Sequence, residues 1–152
     1  MPIKLGPPPP ASSPHVTKSM KSNIAKNTGP ELMLRKALWA KGVRGYRLHY
    51  KKIPGRPDIS FVSKKVAVFV NGCYWHRCPT CDLPLPKTNT DFWRRKFELN
   101  IERDKRKNTA LEELWWTVLT VWECEIRNEL DETVKRISQA LGPTTKSEYL
   151  RA

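Results

Sequence analysis

Four cysteines have the spacing of metal ligands. Cys73, Cys78 and Cys81 lie within nine residues, and Cys124 follows later in the chain. Zinc takes about four soft ligands in a tetrahedron, and thiolates supply both softness and charge. We see no apolar signal segment, so we expect metal ligands or free thiols rather than disulfides. The spacing therefore predicts a structural zinc site. His76 is a further candidate ligand, and the alternative is a set of free or buried thiols.

Two carboxylates are candidates for a second kind of metal site. Asp58 follows a Gly-Arg-Pro turn and begins an apolar hairpin that ends near Val70. Magnesium is held in proteins by one or two carboxylates together with water and substrate phosphate. Asp58 is therefore a candidate magnesium ligand, although Pro-Asp pairs also form turns. Glu31 is equally ambiguous, because it is also placed to complete a capping box with Thr28.

The segment from Asn71 to His76 combines two large aromatic residues with an imidazole. Tyr74 and Trp75 are candidates for stacking on bases or wedging between them, and the alternative is packing on the cysteine loop. Histidine exchanges protons near neutral pH, which makes His76 a candidate general base. Asp104 lies in a basic stretch, where it either forms a salt bridge or orients a histidine by accepting its ring proton.

The charge of the chain indicates a polyanionic partner. Lysine and arginine total 28 against 15 acidic residues, a net charge of +13 in 152 residues. Such an excess favours nucleic acid over a merely solvated basic surface. The length fits one domain, and no apolar run approaches the roughly 20 residues that span a bilayer. We therefore expect a DNA- or RNA-binding protein without a membrane partner.

The elements that position these residues follow from hydrophobic period and turn residues. Thr28 and Pro30 begin a helix that ends at Gly42. The strand over 66–70 is expected to be central in the sheet because both of its faces are apolar. The predicted elements are that first helix, a half-exposed strand at Tyr46–Tyr50, a hairpin of 58–62 and 66–70, a helix over 91–114 capped by Thr90, a strand over 116–122 and a helix over 131–141. This order predicts an α/β fold, a mixed sheet flanked by helices. We expect a disordered Pro-rich tail over 1–16, a folded domain over 17–142 and a flexible tail over 143–152.

Read together, these motifs resemble the very-short-patch-repair mismatch endonucleases, the Vsr type. The resemblance extends from about Lys18 to Arg127. It rests on Ser19-Met20, Thr28-Gly29-Pro30-Glu31, Leu48-His49, Pro54-Gly55-Arg56-Pro57-Asp58, Gly72-Cys73-Tyr74-Trp75-His76, Pro86-Lys87-Thr88-Asn89, Phe92-Trp93, Asn100-x-Glu102-Arg103-Asp104 and Val121-Trp122-Glu123-Cys124. So many ordered matches are far more specific than any single motif.

The resemblance implies a restriction-endonuclease-like α/β fold with a structural zinc and a catalytic Mg²⁺. It implies nicking of one strand of double-stranded DNA beside a T:G mismatch, the product of deaminated 5-methylcytosine. It also implies contacts with mismatch-repair proteins. We expect a monomer in the prokaryotic cytoplasm, associated with the nucleoid.

The resemblance also assigns catalytic roles by position. Asp58 resembles the magnesium-binding aspartate, and the backbone carbonyl of Val70 would complete the protein's share of the metal shell. His76 resembles the general base, with Asp104 as its partner. Glu31 resembles a helix glutamate near the active centre.

The resemblance also implies binding roles at other positions, and one position departs from the family pattern. Met20, Tyr74 and Trp75 resemble the wedge that opens the base stack at the mismatch. The zinc ligands would be Cys73, Cys78, Cys81 and Cys124, with Cys78 where a histidine is common. Asn71 stands where the family often has a second histidine. Asparagine hydrogen-bonds phosphate but exchanges no proton near neutral pH, so this position bears on rate and substrate choice.

Two other functions remain open on the sequence. One is a related endonuclease of different DNA specificity, acting in defence or restriction. The other is a catalytically inactive, zinc-stabilised DNA-binding module. Whether Asp58 and His76 face one pocket is the feature that separates this inactive module from the two enzymes.

Overall fold

The computed structural model describes residues 27–143. The tail expected over 1–16 lies outside the described residues, as does nearly all of the tail expected over 143–152. In chain order the elements are α1 (Gly29–Ala40), β1 (Arg47–Leu48), β2 (Ile59–Phe61), β3 (Val66–Asn71), α2 (Thr90–Glu113), β4 (Thr117–Trp122), α3 (Glu123–Asn128) and α4 (Leu130–Leu141). Within this described part, no helix is long and apolar enough to cross a membrane.

The four strands form one mixed sheet in the order β1-β2-β3-β4. Strands β1, β2 and β3 are antiparallel neighbours, and Ile59 pairs with Val68 across the predicted hairpin. Strand β4 runs parallel to β3, with Val70 opposite Val121. A parallel pair needs a long crossover, which helix α2 and its preceding loop supply. The interior position predicted for the Val66–Val70 run is confirmed.

Helices cover both faces of the sheet. On one face, Val66 and Val68 belong to a core with Leu34 of α1 and Ile137 of α4. On the other face, Ala67 and Phe69 pack with Leu111 of α2 and with Trp116. The four residues from Val66 to Phe69 thus bury apolar side chains against the two helical layers in alternation, as an apolar run in a central strand requires. The mixed α/β architecture predicted from the sequence is confirmed.

The predicted cap of the long helix is wrong. Thr90 lies inside helix α2, and its hydroxyl donates to the Pro86 carbonyl at 2.8 Å. The N-cap position is Asn89, whose φ of 54° is left-handed and whose side chain makes no capping bond. Asparagine tolerates this backbone conformation better than threonine does. The bend of the preceding loop therefore places the helix start one residue earlier than expected.

Two further elements differ from the expected ones. The strand predicted at Tyr46–Tyr50 is reduced to Arg47–Leu48, because His49 adopts a left-handed φ of 48° that ends the extended backbone. Helix α3 was not predicted and begins directly after β4. Its start is stabilised by the carboxylate of Glu125, which accepts the N–H of Trp122 at 3.2 Å, an arrangement typical of a first helical turn.

Candidate active site

An open cleft of about 1270 Å³ lies where the start of α1, the turn before β2, the end of β3 and helix α2 meet. Its lining includes the acidic, imidazole and amide groups Glu31, Asp58, Asn71, His76 and Asp104 and the basic residues Lys51, Arg56, Lys96, Arg103, Lys107 and Arg127. The cleft therefore combines groups that bind cations or protons with a rim that attracts phosphate. Asp58 and His76 line this same cleft, which is the condition that separates an enzyme from a binding module.

The Gly-Arg-Pro turn brings Asp58 into this cleft. Gly55 has a φ of 77°, and a Cβ there would lie 2.9 Å from Cβ of Lys107 and 3.1 Å from the ring of Phe69. The turn therefore approaches α2 closely only because residue 55 has no side chain. Asp58 follows at the start of β2, where its Oδ2 accepts the N–H of Val70 at 2.7 Å.

The surroundings of Asp58 favour its neutral form. Burial raises the pKa of the Asp58 carboxyl to about 6, and the nearby Glu31 carboxylate adds to the rise. The Val70 N–H and His49 act in the opposite direction and lower this pKa. Because burial disfavours the ionised form of Asp58, a cation bound beside it would stabilise that form.

Glu31 is almost fully buried, with 4% of its surface exposed. The predicted cap of α1 is confirmed, since the Thr28 hydroxyl accepts the N–H of Glu31 at 3.3 Å. The reciprocal bond differs from a capping box, because the Glu31 carboxylate accepts the N–H of Asn27 at 3.0 Å rather than that of the cap residue. The same oxygen, Oε2, lies 3.1 Å from Nε2 of His49. Glu31 therefore contributes both to the helix start and to the cleft.

His49 was not predicted as a site residue. Its Nε2 lies 3.1 Å from Glu31 and 3.9 Å from Oδ1 of Asp58. The alternation of side chains along the strand predicted at Tyr46–Tyr50 assigned His49 only to one side of that half-exposed strand. The signal that could have revealed it is the Leu48-His49 pair among the family motifs.

His76 and Asp104 form a second pair in the cleft. Nδ1 of His76 lies 2.7 Å from Oδ2 of Asp104. The loop that carries the histidine is held to α2 by Asn100, whose amide donates to the Trp75 carbonyl at 3.0 Å. In a neutral imidazole whose Nδ1–H donates to this carboxylate, Nε2 is the nitrogen that can accept a proton.

The four cysteines converge at the end of the sheet beside this loop. Their sulfur atoms all lie within 4.8 Å of one another, and those of Cys78 and Cys124 are 3.8 Å apart. Tetrahedral Zn–S bonds of about 2.3 Å require sulfur atoms about 3.8 Å apart. The Cys73 sulfur also accepts the N–H of Cys124 at 3.3 Å. Among the described residues, this group consists of the four cysteines and does not include His76. The four thiols alone therefore fit a zinc ion.

The thiols are held in conditions that disfavour free thiolates at two positions. Burial raises the pKa of Cys73 well above its usual range and raises the pKa of Cys124 to about 11. At Cys78 burial acts in the same direction, but hydrogen bonds from the backbone of Cys81 and Thr80 leave its pKa lowered. A divalent cation would supply the positive charge that such a cluster lacks.

The aromatic pair packs on helix α2. Tyr74 and Trp75 meet edge to face with ring centroids 5.2 Å apart. Phe97 lies 5.5 Å from Tyr74, and Trp93 lies 5.9 Å from Trp75. Both rings of the pair are half-buried, so each keeps a solvent-facing part. Met20, the third residue expected at the wedge, lies outside the described residues.

Asn71 is the last residue of β3 and lies in the cleft with 7% of its surface exposed. It pairs in parallel with Trp122, and Cys124 follows two residues later. Asn71 is therefore at the junction of the cleft and the cysteine cluster.

Comparison with known proteins gives consistent matches. The sequence model of the family described as DNA mismatch endonuclease Vsr matches residues 13–82. The chain is 42% identical over 120 residues to the type II nicking enzyme V.XorIIP of Xanthomonas oryzae pv. oryzae, covering 79% of this chain and 87% of that protein. It is 39% identical over 123 residues to the type II nicking enzyme V.NmeAIP of Neisseria meningitidis, covering 77% and 87%.

A third relative carries the family's own name. The chain is 34% identical over 125 residues to the DNA mismatch endonuclease Vsr of Escherichia coli, covering 82% of this chain and 80% of that protein. Because these relatives are matched over most of their length, the chain is a DNA endonuclease and belongs to the Vsr family of DNA mismatch endonucleases.

Proposed function

We propose that the chain is a Mg²⁺-dependent endonuclease that nicks one strand of duplex DNA beside a T:G mismatch and so initiates very-short-patch repair of deaminated 5-methylcytosine. The observation that carries this proposal is that Asp58 and the His76–Asp104 pair line one basic cleft. A DNA-binding module without activity has no need to bring a carboxylate and an oriented imidazole together.

His76 is the general base in this proposal. Asp104 accepts the proton on Nδ1 at 2.7 Å, so Nε2 is the atom that takes a proton from the attacking water. The carboxylate also stabilises the imidazolium that forms, as acidic partners of catalytic histidines do. Asn100 assists by holding the loop through the Trp75 carbonyl.

Asp58 is the proposed magnesium ligand, with the carbonyl of Val70 beside it. The N–H and C=O groups of a strand residue point to the same side, and the Val70 N–H already points at Asp58. Its carbonyl is therefore directed toward the same edge. A magnesium ion held there would supply positive charge to offset the charge on the scissile phosphate and on the leaving 3′ oxygen. Glu31, within 4.8 Å of Asp58, adds negative charge on the same side of the cleft.

Phosphate binding falls to the rim of the cleft and to Asn71. Helix α2 presents Lys96, Arg103 and Lys107 to the cleft, and each can contact the DNA backbone. Asn71 is proposed to hydrogen-bond the scissile phosphate without exchanging a proton. We expect the reaction to be slower, or differently dependent on pH, than in relatives with histidine at that position.

Mismatch preference is assigned to Tyr74 and Trp75, together with Met20. Unstacking a base step costs less where pairing is already poor, so an inserted aromatic ring gains most at a mismatch. The two rings rest against Trp93 and Phe97, which provide a firm base for insertion. Zinc held by the four cysteines would fix the loop, because Cys73 directly precedes the aromatic pair.

The experiment is a nicking assay on labelled duplexes that differ only at one base pair. T:G, T:A and C:G duplexes are compared with Mg²⁺ and without added divalent metal, on protein purified without chelator. We expect a single nick on the T:G duplex in Mg²⁺ only. Equal cleavage of the T:A duplex would favour an endonuclease acting in defence or restriction, and binding without cleavage would favour the inactive module.

A further inference from the structure

A group of three side chains, Glu31 and Asp58 of the cleft lining together with His49, has the donor set of a mixed nitrogen and oxygen metal site. One ligand atom from each of Glu31, His49 and Asp58 lies within 4.8 Å of the other two. Nε2 of His49 is 3.1 Å from Glu31 Oε2 and 3.9 Å from Asp58 Oδ1. Donors about 2.1 Å from one octahedral ion are separated by about 3.0 Å when adjacent and about 4.2 Å when opposite. The two separations measured from Nε2 of His49 fall within that range.

The backbone is arranged to bring His49 to this position. His49 follows the last residue of β1 and donates its N–H to the Asp58 carbonyl at 3.1 Å, so the two residues face each other across the strand pair. Its φ of 48° is left-handed, a conformation that side chains other than glycine rarely adopt. Departures of this kind persist where the surroundings enforce them and concentrate at functional sites.

The group is enclosed but reachable from the cleft. The side chains of His49 and Asp58 are 15% and 17% exposed, and that of Glu31 is 5% exposed. Glu31 and Asp58 line the cleft directly, so an ion between them would also meet a bound phosphate.

We propose that His49 is a metal ligand that joins Glu31 and Asp58 through its Nε2 atom and shifts the preference of the cleft from Mg²⁺ toward Mn²⁺. Mg²⁺ keeps oxygen ligands and dehydrates reluctantly, so it gains little from an imidazole. Mn²⁺ is the weakest imidazole binder among the divalent first-row ions, but as a transition ion it accepts a nitrogen ligand more readily than Mg²⁺ does. This inference rests on the proposed function, because it concerns the identity of the divalent ion that assists cleavage.

The test uses Mn²⁺ as a paramagnetic probe on the full-length, zinc-retaining protein in the absence of DNA. Pulsed electron paramagnetic resonance reports a directly bound imidazole as a ¹⁴N coupling. We expect that coupling in the unaltered protein, its loss in His49→Gln, and its retention in His76→Gln. Glutamine at 49 can still donate a hydrogen bond to Glu31, so the variant preserves a positioning role and removes only the nitrogen ligand.

Calorimetry supplies a second measurement. His49→Gln should weaken Mn²⁺ binding on the order of tenfold and change Mg²⁺ binding much less, since Mg²⁺ is held by oxygen ligands and gains little from the imidazole. Two results would overturn the inference and leave the proposed metal site intact. One is Mn²⁺ that binds in an Asp58-dependent way but shows no ¹⁴N coupling. The other is a ratio of Mn²⁺ to Mg²⁺ affinity that His49→Gln does not change. Mn²⁺ binding that Asp58→Asn does not affect would contradict the proposed metal site itself.

Discussion

Nδ1 of His76 lies 2.7 Å from Oδ2 of Asp104, and this contact joins the loop after β3 to the middle of helix α2. The two residues are far apart in sequence, so the pair exists only when the loop is seated on the helix. The orientation of the imidazole therefore depends on the same packing that forms the cleft.

Replacing Asp104 should reduce catalysis without reducing DNA binding. In Asp104→Asn an acceptor-only carboxylate is replaced by an amide that can also donate, so the tautomer of the imidazole is no longer selected, and we expect the nicking rate to fall by about 10²- to 10⁴-fold. Single-turnover nicking and DNA affinity are the measurements. Glu98→Gln is the matched control, because Glu98 is an exposed carboxylate on the same helix that pairs with Arg95. Equal rates in the two variants would remove Asp104 from the mechanism.

The Asp58 carboxyl should be a source of instability in the metal-free protein. Its pKa is raised from the ordinary 3.8 to about 6, chiefly by burial. A raised pKa means that the contribution of this group to stability is complete below 3.8 and is lost as the pH rises through about 6. Above that pH, Asp58→Asn should increase the free energy of unfolding by about 1 to 3 kcal/mol and should abolish nicking.

Urea unfolding at pH 4 and pH 7.5, in Mg²⁺-free buffer without chelator, measures this effect. The stability gain of Asp58→Asn should appear at pH 7.5 and shrink toward pH 4. Asp91→Asn is the control, since the Asp91 side chain is 98% exposed. A gain of the same size at both pH values would show that ionisation of Asp58 is not its cause.

The sequence predicted the parts of the site that depend on spacing along the chain. The cysteine cluster was predicted because Cys73, Cys78 and Cys81 are close in sequence, and a thiol that follows another strand can reach them from across the sheet. The two-faced burial of β3 followed from its uninterrupted apolar run. These features are encoded locally, so the residues alone identify them.

Features set by tertiary packing were not predictable. Nothing in the residues around Thr90 shows that its hydroxyl bonds the Pro86 carbonyl instead of capping the helix. His49 meets Glu31 only because the backbone leaves the extended region at that residue and turns its side chain toward α1. Strand alternation assumes regular backbone, and it fails at the positions where a site departs from regularity.

Removing one thiol should release zinc and destabilise the loop. We expect about one zinc ion per chain in the unaltered protein, and in Cys124→Ser a substoichiometric content with a loss of more than about 3 kcal/mol of stability, because structural metal supplies folding free energy. Metal analysis and thermal unfolding are the measurements. Thr117→Ser, at the exposed start of β4, the strand that leads into the helix with Cys124, is the control. Full stability with no zinc in either protein would contradict the structural zinc site.

The salt dependence of DNA binding should identify the face of α2 that contacts phosphate. Each phosphate contact contributes about −0.9 to the slope of log affinity against log salt on duplex DNA. Arg103 lines the cleft, whereas Lys105 is exposed and is not part of its lining. We expect Arg103→Gln to reduce the slope by about one contact and Lys105→Gln to leave it nearly unchanged. Identical slopes in the two variants would exclude a cleft-facing phosphate contact at Arg103.

Trp75 gives the sharpest test of mismatch recognition. Its ring contacts Tyr74, Trp93 and Phe97, so its removal could act either on the wedge or on the packing of the loop. The two effects separate when zinc content and substrate preference are measured on the same protein. We expect Trp75→Ala to retain zinc and to lower the ratio of T:G to T:A nicking on the order of tenfold, because about 1 to 3 kcal/mol of stacking is lost at the opened base step.

Trp115→Ala is the matched control for the loss of an indole, because Trp115 is 86% exposed and is not part of the cleft lining. It should keep both the zinc and the T:G preference. If Trp75→Ala retains zinc with an unaltered T:G to T:A ratio, the wedge assignment is wrong. If it loses zinc as Cys124→Ser does, Trp75 supports the loop instead, because the ring then stabilises the cysteine cluster from the α2 side.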